Sequence, residues 1–181
     1  VVVGDGEERA ALERQAAATG FSSIRFCGFR NQSELPRFFD LCSVFVLPSR
    51  HEPWGLIVNE AMNASRPVIV SDDVGCAVDL VTDGVEGFVY PVRNIEALTD
   101  SLRRILESPE MTARMGQSAQ ERIDAWDFEA NVKGLRDAIA RVYRPVPNSE
   151  PCLASLEESR HLLSSKPFSS TRPPKGRPVH T

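Results

Sequence analysis

Two hydrophobic rhythms alternate along this chain. Short, fully apolar runs occur at Val1–Val3, Ile24–Cys27, Val44–Leu47, Pro67–Val70 and Gly87–Tyr90. Their length predicts buried strands. Between them, apolar residues recur every three or four positions, which predicts helices over Glu7–Thr19, Ser33–Leu41, Leu56–Ala64 and Cys76–Val81. Gly20 would end the first helix. Ser33 is a candidate N-cap for the second, with Pro36 in its first turn, where a missing N–H is tolerated. Three closing helices are predicted over Ile95–Leu106, Met111–Ile123 and Phe128–Val142.

Strand and helix in alternation predict an α/β protein with a parallel sheet covered on both faces. Right-handed crossovers make that a Rossmann-like, doubly wound arrangement. Ligands of such sheets bind beyond the carboxyl ends of the strands. The loops at Gly4–Glu7, Gly28–Ser33, Pro48–Gly55 and Ser71–Cys76 are therefore expected on one rim.

The pattern stops near Tyr143. Residues 144–181 hold 7 of the 13 prolines and carry six basic against three acidic residues. Too little apolar surface is present there to offset chain entropy, so a disordered tail is expected after a folded body of residues 1–143. The whole chain has 181 residues and a formal charge of −4. That size suits one ordinary domain. The charge argues against a nucleic-acid partner, and no apolar run approaches a membrane span. Cys27, Cys42, Cys76 and Cys152 are too dispersed for a zinc site or a disulfide framework, so buried, reduced thiols and a cytoplasmic location are expected. The chain lacks an initiator Met and opens inside an apolar run. The expectation is a piece of a longer protein.

Chemistry concentrates in Pro48–Met62. Gly55 stands where the Leu56–Ala64 helix begins, and glycine allows close approach to the backbone. The first N–H groups of a helix lack intrahelical partners and carry the positive end of its dipole, which suits phosphate. Glu52 precedes that helix. Glu60 lies about a turn and a half inside it, among mostly apolar residues, where an ionised carboxylate is costly without donors. Sugar hydroxyls are such donors. The alternatives are a solvent-facing loop acid at Glu52 and a structural ion pair at Glu60.

The string HEPWGLIVNEAMNASRPVIVSDDVG, with Glu52 and Glu60 flanking Trp54-Gly55-Leu56, resembles the retaining glycosyltransferases of family 4 (group 1), which have the two-domain GT-B fold. The upstream VVVGDGEERAALERQAAATGFSSIRFCGF and LPRFFDLCSVFVLPSR, and the downstream DGVEGFVYPVRNIEALTDSLRRILESPE, resemble the same family. The likeness runs from about Val1 to Tyr143. It implies the C-terminal, nucleotide-sugar-binding half of such an enzyme, truncated at its N-terminal side. Glu52 would be the catalytic-site carboxylate on the transferred sugar's hydroxyls. Pro53, Trp54, Gly55 and Leu56 would surround diphosphate and sugar, with the Gly55 and Leu56 N–H groups on the diphosphate. Glu60 would hold the ribose, and Gly28, Phe29, Arg30 and Leu35 would flank the base. The resemblance implies a nucleotide-diphosphate sugar as donor substrate, with no cofactor and no metal. It also implies a partner N-terminal acceptor domain of the same enzyme, which would supply any peripheral membrane attachment. The Arg and Lys that the family uses on the diphosphate would lie before Val1. Two departures are Ser65, where the family often has Gly, and Asp79, where Glu is frequent.

Other features are weaker. Gly4-Asp5-Gly6 lacks the third glycine of a dinucleotide fingerprint and reads as a tight turn. His51 reads as an exposed loop residue, with a donor contact as the alternative. Trp126 reads as packing, with Phe128 beside it. Arg103 and Arg104 read as the solvated face of a helix. Asp72-Asp73 lacks further metal-ligating residues nearby. The competing functional class is a non-catalytic nucleotide-sugar-binding or interaction module.

Overall fold

The computed structural model describes residues 1–143; the tail expected over 144–181 lies outside the described residues. The chain divides into two units, the first Val1–Gly134 and the second beginning at Leu135. In chain order the elements are α1 (Arg9–Ala18), α2 (Leu35–Leu41), β1 (Phe45–Leu47), α3 (Leu56–Asn63), β2 (Val68–Ser71), α4 (Ala77–Leu80), β3 (Gly87–Tyr90), α5 (Ile95–Leu106), α6 (Pro109–Asp124) and α7 (Phe128–Val142).

The three strands form a parallel sheet in the order β1-β2-β3. Phe45 pairs with Val68 and Leu47 with Val70. Val68 in turn pairs with Gly87, and Val70 with Val89. Every residue of β2 is buried, as a central strand between two helical layers must be. Alternation along β2 divides the core. Val68 and Val70 pack with Val58, Ala61 and Met62 of α3 and with Ala77 and Leu80 of α4. Ile69 faces the other way and packs with Phe88, Tyr90 and Ile105 of α5. The sheet is thus covered on both faces, as its apolar runs predict. α6 packs against both α3 and α5 and contributes Met115 to one core and Ala119 and Ile123 to the other.

Several sequence expectations are corrected. The first two apolar runs do not join the sheet. They meet in one isolated parallel bridge between Val2 and Phe26, with Val2 N–H donating to the Arg25 carbonyl and Cys27 N–H to that of Val2. α1 has no buried residue, so its helical pattern is not matched by a packed face. Ser33 does not cap α2. Glu34 occupies that position, and the Ser33 hydroxyl donates to Asn31 Oδ1 instead; Pro36 does lie in the first turn. α6 starts two residues early because Ser108 caps it, accepting from Met111 N–H at 3.2 Å, and Pro109 needs no acceptor there. Of the described cysteines, Cys76 alone is buried; Cys27 and Cys42 are half-buried. Arg103 pairs with Asp100 at 2.7 Å, but Arg104 is more than solvated surface, its guanidinium lying 4.2 Å from the centroid of Phe88.

Candidate functional site

β1 ends at Leu47, and the chain enters the Pro48–Gly55 loop. This loop runs beside the one that follows β2. Glu52 and Val74 form a parallel bridge: Glu52 N–H donates to the Asp73 carbonyl at 3.1 Å, and Gly75 N–H donates to the Glu52 carbonyl at 2.8 Å. Cys76 N–H adds a bond to the Trp54 carbonyl at 2.9 Å, and the Ser71 hydroxyl donates to the Ser49 carbonyl. Gly75 is required by this contact, since a Cβ there would collide with the Pro53 carbonyl oxygen. Two rim loops therefore hold one another through their main chains.

Gly55 turns the chain into α3 with φ 93° and ψ 55°, a left-handed conformation that glycine adopts without penalty. A Cβ at this position would also stand 3.1 Å from Val74 Cγ1 and 3.3 Å from Leu47 Cδ2. No side chain caps α3. The first N–H near its start to find an acceptor is that of Val58, which donates to the Gly55 carbonyl at 2.8 Å. Among the described residues, the N–H groups of Gly55, Leu56 and Ile57 have none. Leu56 is 69% exposed whereas Gly55 is buried, so the helix start meets solvent at Leu56. Unpaired N–H groups and the dipole together make this an anion-accepting end.

The two acidic residues differ in their partners. Glu52 is half-buried, and its Oε1 accepts weakly from Trp54 N–H at 3.3 Å, beside the helix mouth. Glu60 is half-buried on α3. No hydrogen bond or ion pair among the described residues engages its carboxylate. The structural ion pair considered for Glu60 is therefore not formed. Pro53 and His51 are exposed, and Trp54 is half-buried.

The loops at Gly4–Glu7 and Gly28–Ser33, expected on the same rim, follow segments outside the three-stranded sheet and pair with each other. Gly4 N–H donates to the Gly28 carbonyl at 2.9 Å, and Arg9 lies against Gly28 while pairing with Asp5 and Glu13, each at 2.9 Å. Asp5 also accepts from its neighbour Gly6 N–H, as a turn residue does. Gly28 is buried with φ 69°, and Phe29 is largely exposed. Arg30 pairs with Glu34 at 3.3 Å and lies 6.0 Å from the Phe38 ring centroid; Leu35 packs against the α3 side of the core. No hydrogen bond among the described residues joins this pair of loops to the Glu52–Val74 pair.

Further features surround these loops; the cavity and the Glu86–Arg122 contact among them were not singled out by sequence. Burial pushes the Cys76 thiol up to about 11, with the Glu52 and Asp79 charges adding to the effect. Its Sγ lies 3.9 Å from the Gly55 carbonyl. Glu86, 6% exposed, accepts from Thr82 N–H at 2.7 Å and faces Arg122 at 3.8 Å, closing the turn before β3. On the α5 side of the Pro48–Gly55 loop, Arg50, Tyr90, Arg93 and Asn94 line a cavity of about 200 Å³. Asp72 accepts from Val92 N–H at 2.7 Å, and among the described residues no group of three potential metal ligands is assembled.

Residues 1–122 match the family model for "Glycosyl transferases group 1". The chain belongs to this family. Among similar proteins, α-D-kanosaminyltransferase of Streptomyces kanamyceticus is 32% identical over 147 residues, covering 81% of this chain and 37% of the relative. D-inositol 3-phosphate glycosyltransferase of Streptomyces griseus is 34% identical over 123 residues, covering 66% and 26%. The chain thus spans little more than a third of the first and about a quarter of the second. Among solved structures, sucrose-phosphate synthase from Thermosynechococcus elongatus superposes with a TM-score of 0.65 at 28% identity, over 76% of this chain and 35% of that one. Anabaena HepE in complex with UDP-glucose gives 0.64 at 26% identity, over 77% and 40%. The group 1 glycosyl transferase fold, a parallel α/β sheet of GT-B type, agrees with the arrangement seen here. No helix among the described residues is long and apolar enough to cross a membrane.

Proposed function

We propose that this group 1 chain is the donor-binding half of a retaining glycosyltransferase of family 4, and that its substrate is a nucleotide-diphosphate sugar. The observation that carries the reading is Glu60: a half-buried carboxylate without a hydrogen-bond or ion-pair partner among the described residues, on the same short helix as an uncapped N-terminus that exposes Leu56. A diphosphate at the N–H groups of Gly55 and Leu56 would leave Glu60 to accept ribose hydroxyls one and a half turns along. Glu52, beside the helix mouth, would accept hydroxyls of the transferred sugar, with Pro53 and Trp54 shaping the same loop. Gly28, Phe29, Arg30 and Leu35 would flank the base. The similarity to HepE, whose structure holds UDP-glucose, supports this assignment.

In transfer with retention, the sugar passes through an oxocarbenium-like state while negative charge grows on the departing diphosphate. Fixed N–H groups aimed at that charge lower the barrier without reorganising. The Gly55–Ile57 end of α3 is suited to that role. It needs no metal or cofactor in this reading. The remaining diphosphate ligands, an Arg and a Lys, and the acceptor-binding domain would come from the N-terminal side of a longer enzyme. The chain alone is accordingly expected to bind donor weakly and to transfer no sugar; appreciable turnover in a transfer assay on the 181-residue protein would overturn that expectation.

The direct test titrates the protein with UDP- and GDP-sugars, followed by ligand-observed NMR. Hydrogen bonds to a charged group contribute about 1.5–3 kcal/mol. Glu60→Ala should therefore weaken the nucleotide that binds by roughly ten- to a hundredfold. Equal affinity in wild type and variant removes the ribose assignment.

A further inference from the structure

Trp54 sits between Glu52 and Gly55, in the loop that leads to the helix mouth. The main chain of this loop is held on one side by Asp73, Gly75 and Cys76. Its tryptophan ring has a further contact from elsewhere in the chain. The Trp54 ring lies 5.8 Å from that of Trp126, tilted by 45°. Trp126 follows the end of α6, and its N–H donates to the Ile123 carbonyl at 2.9 Å. Ile123 belongs to the α3-side core, which also receives Trp54 at its margin. The connection between Trp126 and the buried body is therefore short.

Trp126 itself remains 37% exposed, and it is not a member of either buried core cluster. A ring of that size usually stabilises a protein by being buried. Here much of it stays in water, and its described ring partner is a residue of the rim loop. The contact thus acts on the loop more than on the sheet.

We propose that Trp126 is a positioning residue for the donor loop: it fixes the Trp54 ring and so restricts the backbone of Glu52–Gly55 to the geometry that presents the Glu52 carboxylate and the Gly55 N–H. Trp126 acts through Trp54 and needs no contact with substrate. The importance of that geometry for catalysis rests on the proposed donor site, whereas the mechanical link can be measured without any ligand.

The experiment is amide hydrogen exchange on the 181-residue protein, comparing wild type with Trp126→Ala and Trp126→Phe. An aromatic pair of this kind corresponds to roughly a two- to twelvefold change in an opening equilibrium. Trp126→Ala should accelerate exchange of loop amides that are bonded across the rim, Glu52 and Gly75 among them, by that factor. Protection in β2 and in the interior of α3 should be unchanged, and Trp126→Phe should restore most of the loop's protection. Unchanged loop exchange in Trp126→Ala overturns the proposal. So does equal acceleration throughout β2, α3 and the loop, which would make Trp126 ordinary scaffold. UDP and GDP titrations of the same variants separate the two readings. Loss of nucleotide affinity alongside the loop effect supports both, while a loop effect with nucleotide affinity unchanged sustains the link and removes Glu52–Gly55 from the proposed donor site.

Discussion

Two glycines of the rim serve different needs. Gly55 meets a conformational demand, because its φ of 93° is rarely open to other residues. Gly75 meets a spatial one, because the Pro53 carbonyl occupies the place of a Cβ. Gly75→Ala must push two hydrogen-bonded loops apart and should cost about 2 kcal/mol or more, read as a lower urea midpoint. Ser65 presents the reverse case. It adopts φ 56° just past the end of α3, where the chain turns left-handed. Its hydroxyl donates to Gln120 at an exposed position. Ser65→Gly relieves the backbone and gives up only that surface bond, so a net gain of about 0.5 kcal/mol is expected from denaturant unfolding.

At the scale of elements, the helices begin in two ways. α5 and α6 are closed by side chains: Asn94 accepts from Ala97 N–H at 3.0 Å, and Ser108 accepts from Met111 N–H at 3.2 Å. α3 begins without any side-chain cap. An uncapped, exposed helix start gives up about 1 kcal/mol of available stabilisation and keeps its N–H groups for an external anion. Asn94→Ala and Ser108→Ala should each lower stability by about 1 kcal/mol in urea titrations, with nucleotide binding unchanged for Ser108→Ala, whose cap lies in a helix away from the rim. The start of α2 shows where local pattern misleads. Ser33 is a good capping residue, yet its hydroxyl is engaged by Asn31 and the helix begins after Glu34.

Across the whole molecule, burial sets the response to alkali. Cys76 is pushed up to about 11 by desolvation first, and desolvation, followed by the charge of Asp72, also raises Tyr90. Both groups are neutral when protonated. The folded state holds these protons more tightly than the unfolded chain, so the resulting stability is complete at neutral pH. It declines once the pH passes the ordinary thiol range and is lost through about 11 for Cys76. Denaturant midpoints should therefore fall progressively between about pH 9 and 11, with a smaller decline in Cys76→Ala relative to its own neutral value. In the folded protein at pH 8, iodoacetamide should modify Cys27 well before Cys76, as peptide mapping would show; comparable rates at the two sites would contradict the burial argument.

Periodicity determines the nature of the elements, because an apolar strand and an amphipathic helix each advertise the surface they must bury. That is why β1, β2, β3 and α3–α7 stand close to the positions their patterns predict. The string from Glu52 to Glu60 likewise reveals a candidate site, since a glycine at a helix start and acids among apolar residues are local signals. Partnership between distant segments is different. That the first two apolar runs form only one bridge, that Gly75 lies under Pro53, that Glu60 finds no cation among the described residues and that Trp126 reaches Trp54 all depend on which surfaces meet after folding. No sequence spacing encodes those encounters, because each arises from the three-dimensional packing of the sheet and its helices together.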